Sequence, residues 1–239
     1  MANWKKTLMA SAGGGPTEIG QEYGGGYYAG KIIDLLGGSI EYYIILAPKN
    51  TETTRKWYNT NVVHPGACIT TWNGQAASAA LNSATGSNYP AAQYCENLSS
   101  GGYTDWYLPA RDEILLCYNS FKPTTTSNAT GYTRSFRDIT NNNPNPPGYP
   151  YPDDNSTDEN GRTRTTVPPQ LAWTATVPPQ TPLSLFQSGG AQAFATTTYW
   201  TSSLVYNYST WLCDFGNGYE YDRSGNQVKR VRAVRREPV

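Results

Sequence analysis

Four groups of residues in the chain have the types and spacing for chemistry. His64 stands four residues before Cys68, beside Pro65-Gly66, and a histidine near a thiol is the raw material of a nucleophile and its base. No third group that would orient such a pair is evident in the sequence. The run Asp153-Asp154-Asn155-Ser156-Thr157-Asp158-Glu159-Asn160-Gly161 gathers the carboxylate and amide oxygens that calcium prefers. It lacks the EF-hand spacing, in which Gly takes the sixth place and Glu the twelfth, so a polar loop is the simpler reading and Asp153, Asp154 and Asp158 are at most a weak calcium site. Lys229-Arg230-Val231-Arg232-Ala233-Val234-Arg235-Arg236 is basic enough for phosphate, sulfate or anionic glycans. Alternation along a last strand, with Val231 and Ala233 inward, accounts for it as well and is preferred. Tyr206, Tyr208, Tyr219 and Tyr221 crowd a hairpin near the end, and Tyr149 and Tyr151 lie in a proline-rich stretch. Aromatic faces stack on sugars and form protein hot spots, so these six are the ligand-binding candidates.

Composition narrows the class. The 239 residues carry no net charge, which removes the basic footprint expected of a nucleic-acid binder and leaves nothing for docking on an anionic membrane. Charged residues are 15% of the chain where soluble domains average about 25%, and 19 residues are Tyr. A surface rich in Tyr, Thr, Asn, Ser and Gly suits a virion, cell-surface or binding-module polypeptide. No stretch approaches the roughly 20 apolar residues of a membrane helix. The apolar part of Met1–Ala12 is only Leu8, Met9 and Ala10, too short for a signal-peptide core. It reads as an anchoring segment, with Trp4 and Leu8 gripping a partner, followed by the linker Gly13-Gly14-Gly15-Pro16. The four cysteines form no CxxC pair and His64 is the sole histidine, so buried thiols are expected and a zinc site is not.

The elements that must position these residues are strands first. Tyr27 to Ile33 and Glu41 to Pro48 read as two strands joined by Leu35-Leu36-Gly37-Gly38, with Gly24-Gly25-Gly26 ahead as a turn or close-approach site. Thr53 to Trp72 reads as irregular. Gln75 to Leu81 and Tyr89 to Leu98 read as helices, the second stopped by Gly101-Gly102. Ala110 to Phe121 reads as another, with an apolar face of Ile114, Leu115, Cys117 and Tyr118 and acidic residues in its first turn. Residues 122–198 read as one long loop insertion, because its prolines forbid helix or central strand. From Tyr199 strands return: Trp211 to Phe215, a turn at Gly216-Asn217-Gly218, a return over Tyr219 to Asp222, and Val228 to Arg235. The expected fold class is α+β, with a domain over 17–239 after an anchor and linker at 1–16.

Several stretches carry a resemblance. They are Ile19-Gly20-Gln21-Glu22-Tyr23-Gly24-Gly25-Gly26, Trp57-Tyr58-Asn59, Ala91-Ala92-Gln93-Tyr94-Cys95, and Gly101-Gly102-Tyr103-Thr104-Asp105-Trp106-Tyr107-Leu108-Pro109-Ala110-Arg111-Asp112-Glu113. Tyr199-Trp200-Thr201-Ser202-Ser203, Trp211-Leu212-Cys213-Asp214-Phe215-Gly216-Asn217-Gly218 and Val231-Arg232-Ala233-Val234-Arg235 complete the set. In order and spacing they resemble the C-type-lectin-like domain at the C-terminus of bacterial collagen-like adhesins (the Lcl C-terminal-domain type), also common in phage structural proteins. The resemblance covers most of 18–236 and leaves 122–198 unmatched. It implies a C-type-lectin-like fold with two helices and a small antiparallel sheet, and a non-catalytic binding or structural role. Asp105, Trp106, Leu108, Pro109, Trp200 and Trp211 are then structural, with Trp106 and Leu108 filling the core. Relatives carry a cysteine in the last strand where this chain has Ala233, so the resemblance offers no disulfide from Cys95 to that strand. The Glu-Pro-Asn and Gln-Pro-Asp tripeptides of calcium-dependent sugar binding do not occur.

The leader resembles those of phage virion proteins. The functional expectation is therefore a non-enzymatic virion protein, attached to a tail, neck or capsid partner through its N-terminal segment. Present in many copies, or as a homo-oligomer, it would display a lectin-like domain to a host-surface glycan or protein. A purely structural decoration or assembly subunit and a bacterial surface adhesin are the alternatives. Neither nucleic acid nor membrane insertion is expected, and no cofactor beyond the calcium candidate.

Overall fold

The computed structural model describes residues 14–34, 40–60, 64–84, 88–129, 166–167, 173–206 and 209–239. The strands are β1 (Glu22–Tyr23), β2 (Gly26–Asp34), β3 (Ile40–Leu46), β4 (Thr53–Lys56), β5 (Thr166–Val167), β6 (Thr198–Tyr206), β7 (Ser209–Asp214), β8 (Glu220–Ser224), β9 (Val228–Val231) and β10 (Val234–Pro238). The helices are α1 (Gly74–Ser83), α2 (Pro90–Glu96) and α3 (Arg111–Phe121). The architecture is α+β.

The strands form two sheets. The first runs β1-β2-β3-β10, with β5 on β2, and every pairing is antiparallel. The second runs β4-β9-β6-β7-β8, antiparallel except where β6 meets β9 at Tyr199 and Arg230. The expected single strand over Val228 to Arg235 is thus two. The chain leaves the second sheet at Val231, crosses at Arg232-Ala233, and joins the first at Val234.

Helix α3 lies between the sheets. Ile114, Leu115, Cys117, Tyr118 and Phe121 pack against Ala29, Ile32, Ile44 and Leu46 of the first sheet and Tyr199, Cys213 and Phe215 beside the second. A second apolar cluster joins α1 and α2 to Trp57, Trp106, Leu108, Trp200, Leu212 and Ala233. The period-3.6 pattern had exposed only one face of α3, yet its first turn is buried as well: Arg111, Asp112 and Glu113 are all under 4% exposed. The reason is pairing. Charged groups stay inside when partners satisfy them.

Glu113 shows how. One carboxylate oxygen accepts from the Ala110 N–H at 2.7 Å, capping α3. The other accepts from the Tyr107 hydroxyl at 2.7 Å and from Arg236 Nη2 at 3.1 Å. Arg236 also donates to Asn73 Oδ1, and Asn73 in turn caps α1 through the Ala76 N–H. Tyr107 and Val234 exchange backbone hydrogen bonds of 2.8 and 3.1 Å. Arg235 forks onto Asp105 at 2.8 and 2.9 Å. The segments 105–113 and 234–236 are therefore laced together.

Where two helices and one small antiparallel sheet were expected, the described residues form three helices and two five-stranded sheets, and four further sequence expectations change. Thr53–Lys56 is a strand although Thr-Thr-Arg-Lys shows no apolar alternation, because pairing to β9 supplies what composition does not. The basic tail does not turn its arginines outward: Arg232, Arg235 and Arg236 are all buried. Arg232 donates to the Ala47 and Gln192 carbonyls and lies over the Phe194 ring. The linker is docked where described, with Gly15 against the Tyr43 ring and Pro16 buried. Finally, the expected loop insertion contributes to the core. Phe186 stacks on Phe121 with centroids 4.0 Å apart, and Phe194 stacks on Phe215 at 3.8 Å. Apolar anchors override proline content there. The Leu35–Gly38 connection lies outside the described residues.

The glycine run makes the close approach its sequence suggests. Gly25 and Gly101 both have positive φ, and a Cβ on Gly101 would collide with Gly25 backbone.

Removing one partner of a buried pair leaves the other charge unsatisfied. Glu113→Ala should therefore cost about 3–5 kcal/mol in urea unfolding. Asp105→Ala, whose side chain is 43% exposed, should cost about 1 kcal/mol or less. Similar costs for the two would overturn this account.

Candidate functional site

The turn between β7 and β8 is built by Asp214, whose Oδ1 accepts from the Gly216 N–H and whose carbonyl accepts from the Gly218 N–H. It returns the chain so that Leu212 faces Tyr221 and Thr210 faces Arg223. Strand alternation then puts Tyr219, Tyr221 and Arg223 on one face. The Tyr219 and Tyr221 rings stack with centroids 5.2 Å apart and planes 24° from parallel. The exposed Arg223 guanidinium lies over the Tyr221 ring at 5.0 Å. Tyr221 is seated on the edge of the second apolar cluster, which holds the row in place.

The opposite face is committed internally. Arg111 lies over the half-buried Trp211 at 4.8 Å and forks onto Glu220 at 3.0 and 3.3 Å. β8 is the last strand of its sheet, so the tyrosine row sits at an edge. Planar faces flanked by a guanidinium offer stacking and hydrogen-bond donation.

Of the six candidate tyrosines, the structure describes the side chains of Tyr219 and Tyr221 and brings these two together. Tyr206 pairs with Ser209 at the start of β7, while the Tyr219 carbonyl accepts from the Asp214 N–H at its end. Five residues of strand, about 17 Å, separate them. The Tyr206 side chain, Tyr208, Tyr149, Tyr151, Asp153, Asp154, Asp158, Trp4 and Leu8 lie outside the described residues. Arg223 was missed by the sequence reading, although Tyr-x-Tyr-x-Arg at strand spacing was the available signal.

The motif residues occupy the interior, with two exceptions. Trp106, Leu108 and Trp200 are at most 1% exposed. The Trp106 indole donates to the Ser100 carbonyl and that of Trp200 to the Arg55 carbonyl. The Pro109 carbonyl accepts from the Ser202 N–H. Asp105 is partly exposed and Trp211 is half-buried.

His64 and Cys68 do not act on each other. His64 is enclosed by Trp57, Tyr58 and Tyr89, with Nδ1 2.9 Å from the Tyr89 hydroxyl. Burial holds its pKa down to about 4. Cys68 points at the Ala77 carbonyl, and burial pushes its thiol up to about 12. A protonated thiol is a poor nucleophile. All four cysteines are buried and outside any disulfide, and Cys95 shares its cluster with Ala233. Among the described residues, no three His, Cys, Asp or Glu side chains gather as a metal site. No helix there is long and apolar enough to cross a membrane. A shallow depression of 430 Å³ lies over Glu22–Tyr27 and Pro48, on the first sheet.

His64 makes stability depend on pH. The unfolded imidazole titrates near 6.5 and the folded one near 4, so the unfolded chain binds the proton first as pH falls. The stabilisation is complete above about 6.5, declines through that window, and amounts to about 3 kcal/mol in all. His64→Gln should flatten the stability profile between pH 6.5 and 4, measured by urea unfolding. An unchanged slope would refute the assignment.

The chain matches no protein-family model and no curated protein.

Proposed function

We propose that this chain is a non-enzymatic phage virion protein whose C-type-lectin-like domain recognises a host-surface glycan or protein through Tyr219, Tyr221 and Arg223. The single observation that carries the reading is the stacked, partly exposed row of two tyrosines and an arginine along and just before an edge strand. The C-type-lectin-like assignment rests on the motif order together with the pairing of β10, near the C-terminus, to β3. The N-terminal segment, with Trp4 and Leu8, attaches the domain to other virion proteins. Display in many copies turns weak single-site binding into avidity.

The recognition reading is preferred to a purely structural subunit on one ground. Residues 173–197 spend Phe186 and Phe194 on the domain's own core, not on a neighbour.

The test uses the purified protein made multivalent on a tetrameric carrier, against a glycan array and host cells. Tyr219→Ala and Tyr221→Ala should each weaken binding about tenfold, since a well-placed aromatic contact is worth about 1–2 kcal/mol. The melting temperature should change little, because both rings are only partly buried. Full binding by the double variant would eliminate this site. No binding by the folded, multivalent wild type would eliminate recognition itself.

A further inference from the structure

The basic tail was the strongest anion-binding signal in the sequence, and the fold consumes most of it. Arg232, Arg235 and Arg236 donate to internal partners, and Arg230 pairs with Glu52 at 2.8 Å. Lys229 is left over. In the β4–β9 pairing it stands directly opposite Arg55. Directly opposed residues of an antiparallel pair share a face, with Cβ atoms about 4.5–5.5 Å apart, and like charges in that arrangement repel.

Among the described residues, no carboxylate relieves the repulsion. The ion pairs of the described residues involve neither Arg55 nor Lys229. Glu52, just ahead of β4, is held by Arg230 and Lys49. Arg230 faces Thr54, so strand alternation assigns that ion pair to the other face. Glu96 on α2 is turned to Ser78. Arg55 is nevertheless held in place. Its guanidinium lies over the Tyr94 ring at 4.9 Å, and Nη1 donates to Thr53 Oγ1 and the Thr54 carbonyl at 2.8 Å each. Its Nε and Nη2 donors carry no hydrogen bond among the described residues. Lys229 adds three more donors.

We propose that Arg55 and Lys229 form a binding site for a phosphate group, seated between the two cations beside the Tyr94 ring. The charge selects the ligand. Two unpaired cations are matched by a phosphate monoester or inorganic phosphate, which carries about −1.5 to −2 at pH 7. A carboxylate, a sulfate ester or a phosphodiester brings only one charge. The free edge of a guanidinium fits phosphate oxygens in pairs, and the ammonium adds a point charge. This site lies on the β4–β9 pair and does not depend on the tyrosine row.

Inorganic phosphate, methyl phosphate and dimethyl phosphate are the probes. Each is titrated into the isotope-labelled full chain at constant ionic strength, and backbone amide shifts are followed. Saturable shifts at residues 53–56 and 228–231 are expected with methyl phosphate, at least tenfold weaker with dimethyl phosphate. Arg55→Gln and Lys229→Gln should each weaken binding at least tenfold. Methyl phosphate binding as well as inorganic phosphate assigns the source to a phosphate ester on a larger molecule, and inorganic phosphate binding alone assigns it to the free ion. Melting temperature gives a second readout. Lys229→Gln alone should raise it by removing the repulsion, and phosphate should raise it in wild type but not in that variant. Absence of saturable shifts, equal binding of dimethyl phosphate, or binding unchanged in both variants would overturn the proposal.

Discussion

A single buried carboxylate ties the architecture together. Glu113 caps α3, anchors Tyr107 and neutralises Arg236, which in turn reaches the cap of α1. Each of those groups belongs to a different element. Arg236 lies in β10 of the first sheet, Tyr107 in the extended entry to α3, and Asn73 ahead of the helix that supports the second cluster. Placing a full charge there without partners would cost several kcal/mol. The hydrogen bonds that offset this cost are available in one arrangement of the chain, so the network specifies the fold as much as it stabilises it.

The same economy of charge explains the surface. A chain with 18 basic and 18 acidic residues has few to spare, and many are spent inside. Asp105, Glu113 and Glu220 each hold an arginine, and Arg232 is surrounded by carbonyl oxygens. What remains outside is tyrosine, threonine and asparagine, with a few cations left alone. Among the described residues, cations outside any ion pair are then conspicuous: Arg223 on its tyrosine row, and the opposed Arg55 and Lys229.

Much of the fold was legible because its signals are local. The helices follow from the spacing of Ala91, Ala92 and Cys95, and of Ile114, Leu115, Cys117 and Tyr118, and from glycine stops. The β7–β8 hairpin follows from Gly216-Asn217-Gly218. What was not legible depends on distant partners. Thr53–Lys56 is a strand because β9 lies beside it, and the tail arginines are buried because Asp105 and Glu113, more than a hundred residues earlier, receive them. Phe194 gave no periodic signal, and its place is fixed by stacking on Phe215. Of the candidate site, Tyr219 and Tyr221 were found through residue type. Arg223 was not, since only strand register places it on the face of Tyr221.

One arrangement near Asn128 bears on how such a chain varies through evolution. The backbone N–H of Asn128 binds the Ala175 carbonyl, its side-chain amide binds the Thr174 and Pro178 carbonyls, and the Ala129 N–H binds the Asn217 carbonyl. Residues 128–129 and 174–178 are thus fastened to one another beside the β7–β8 turn. The entropy cost of closing a chain segment between two fixed points grows only as the logarithm of its length, by roughly 0.6 kcal/mol per doubling. A change in the number of residues between two such fastenings therefore costs the folded domain little, provided that Thr166–Val167 keeps its pairing to β2 and Thr166 stays buried.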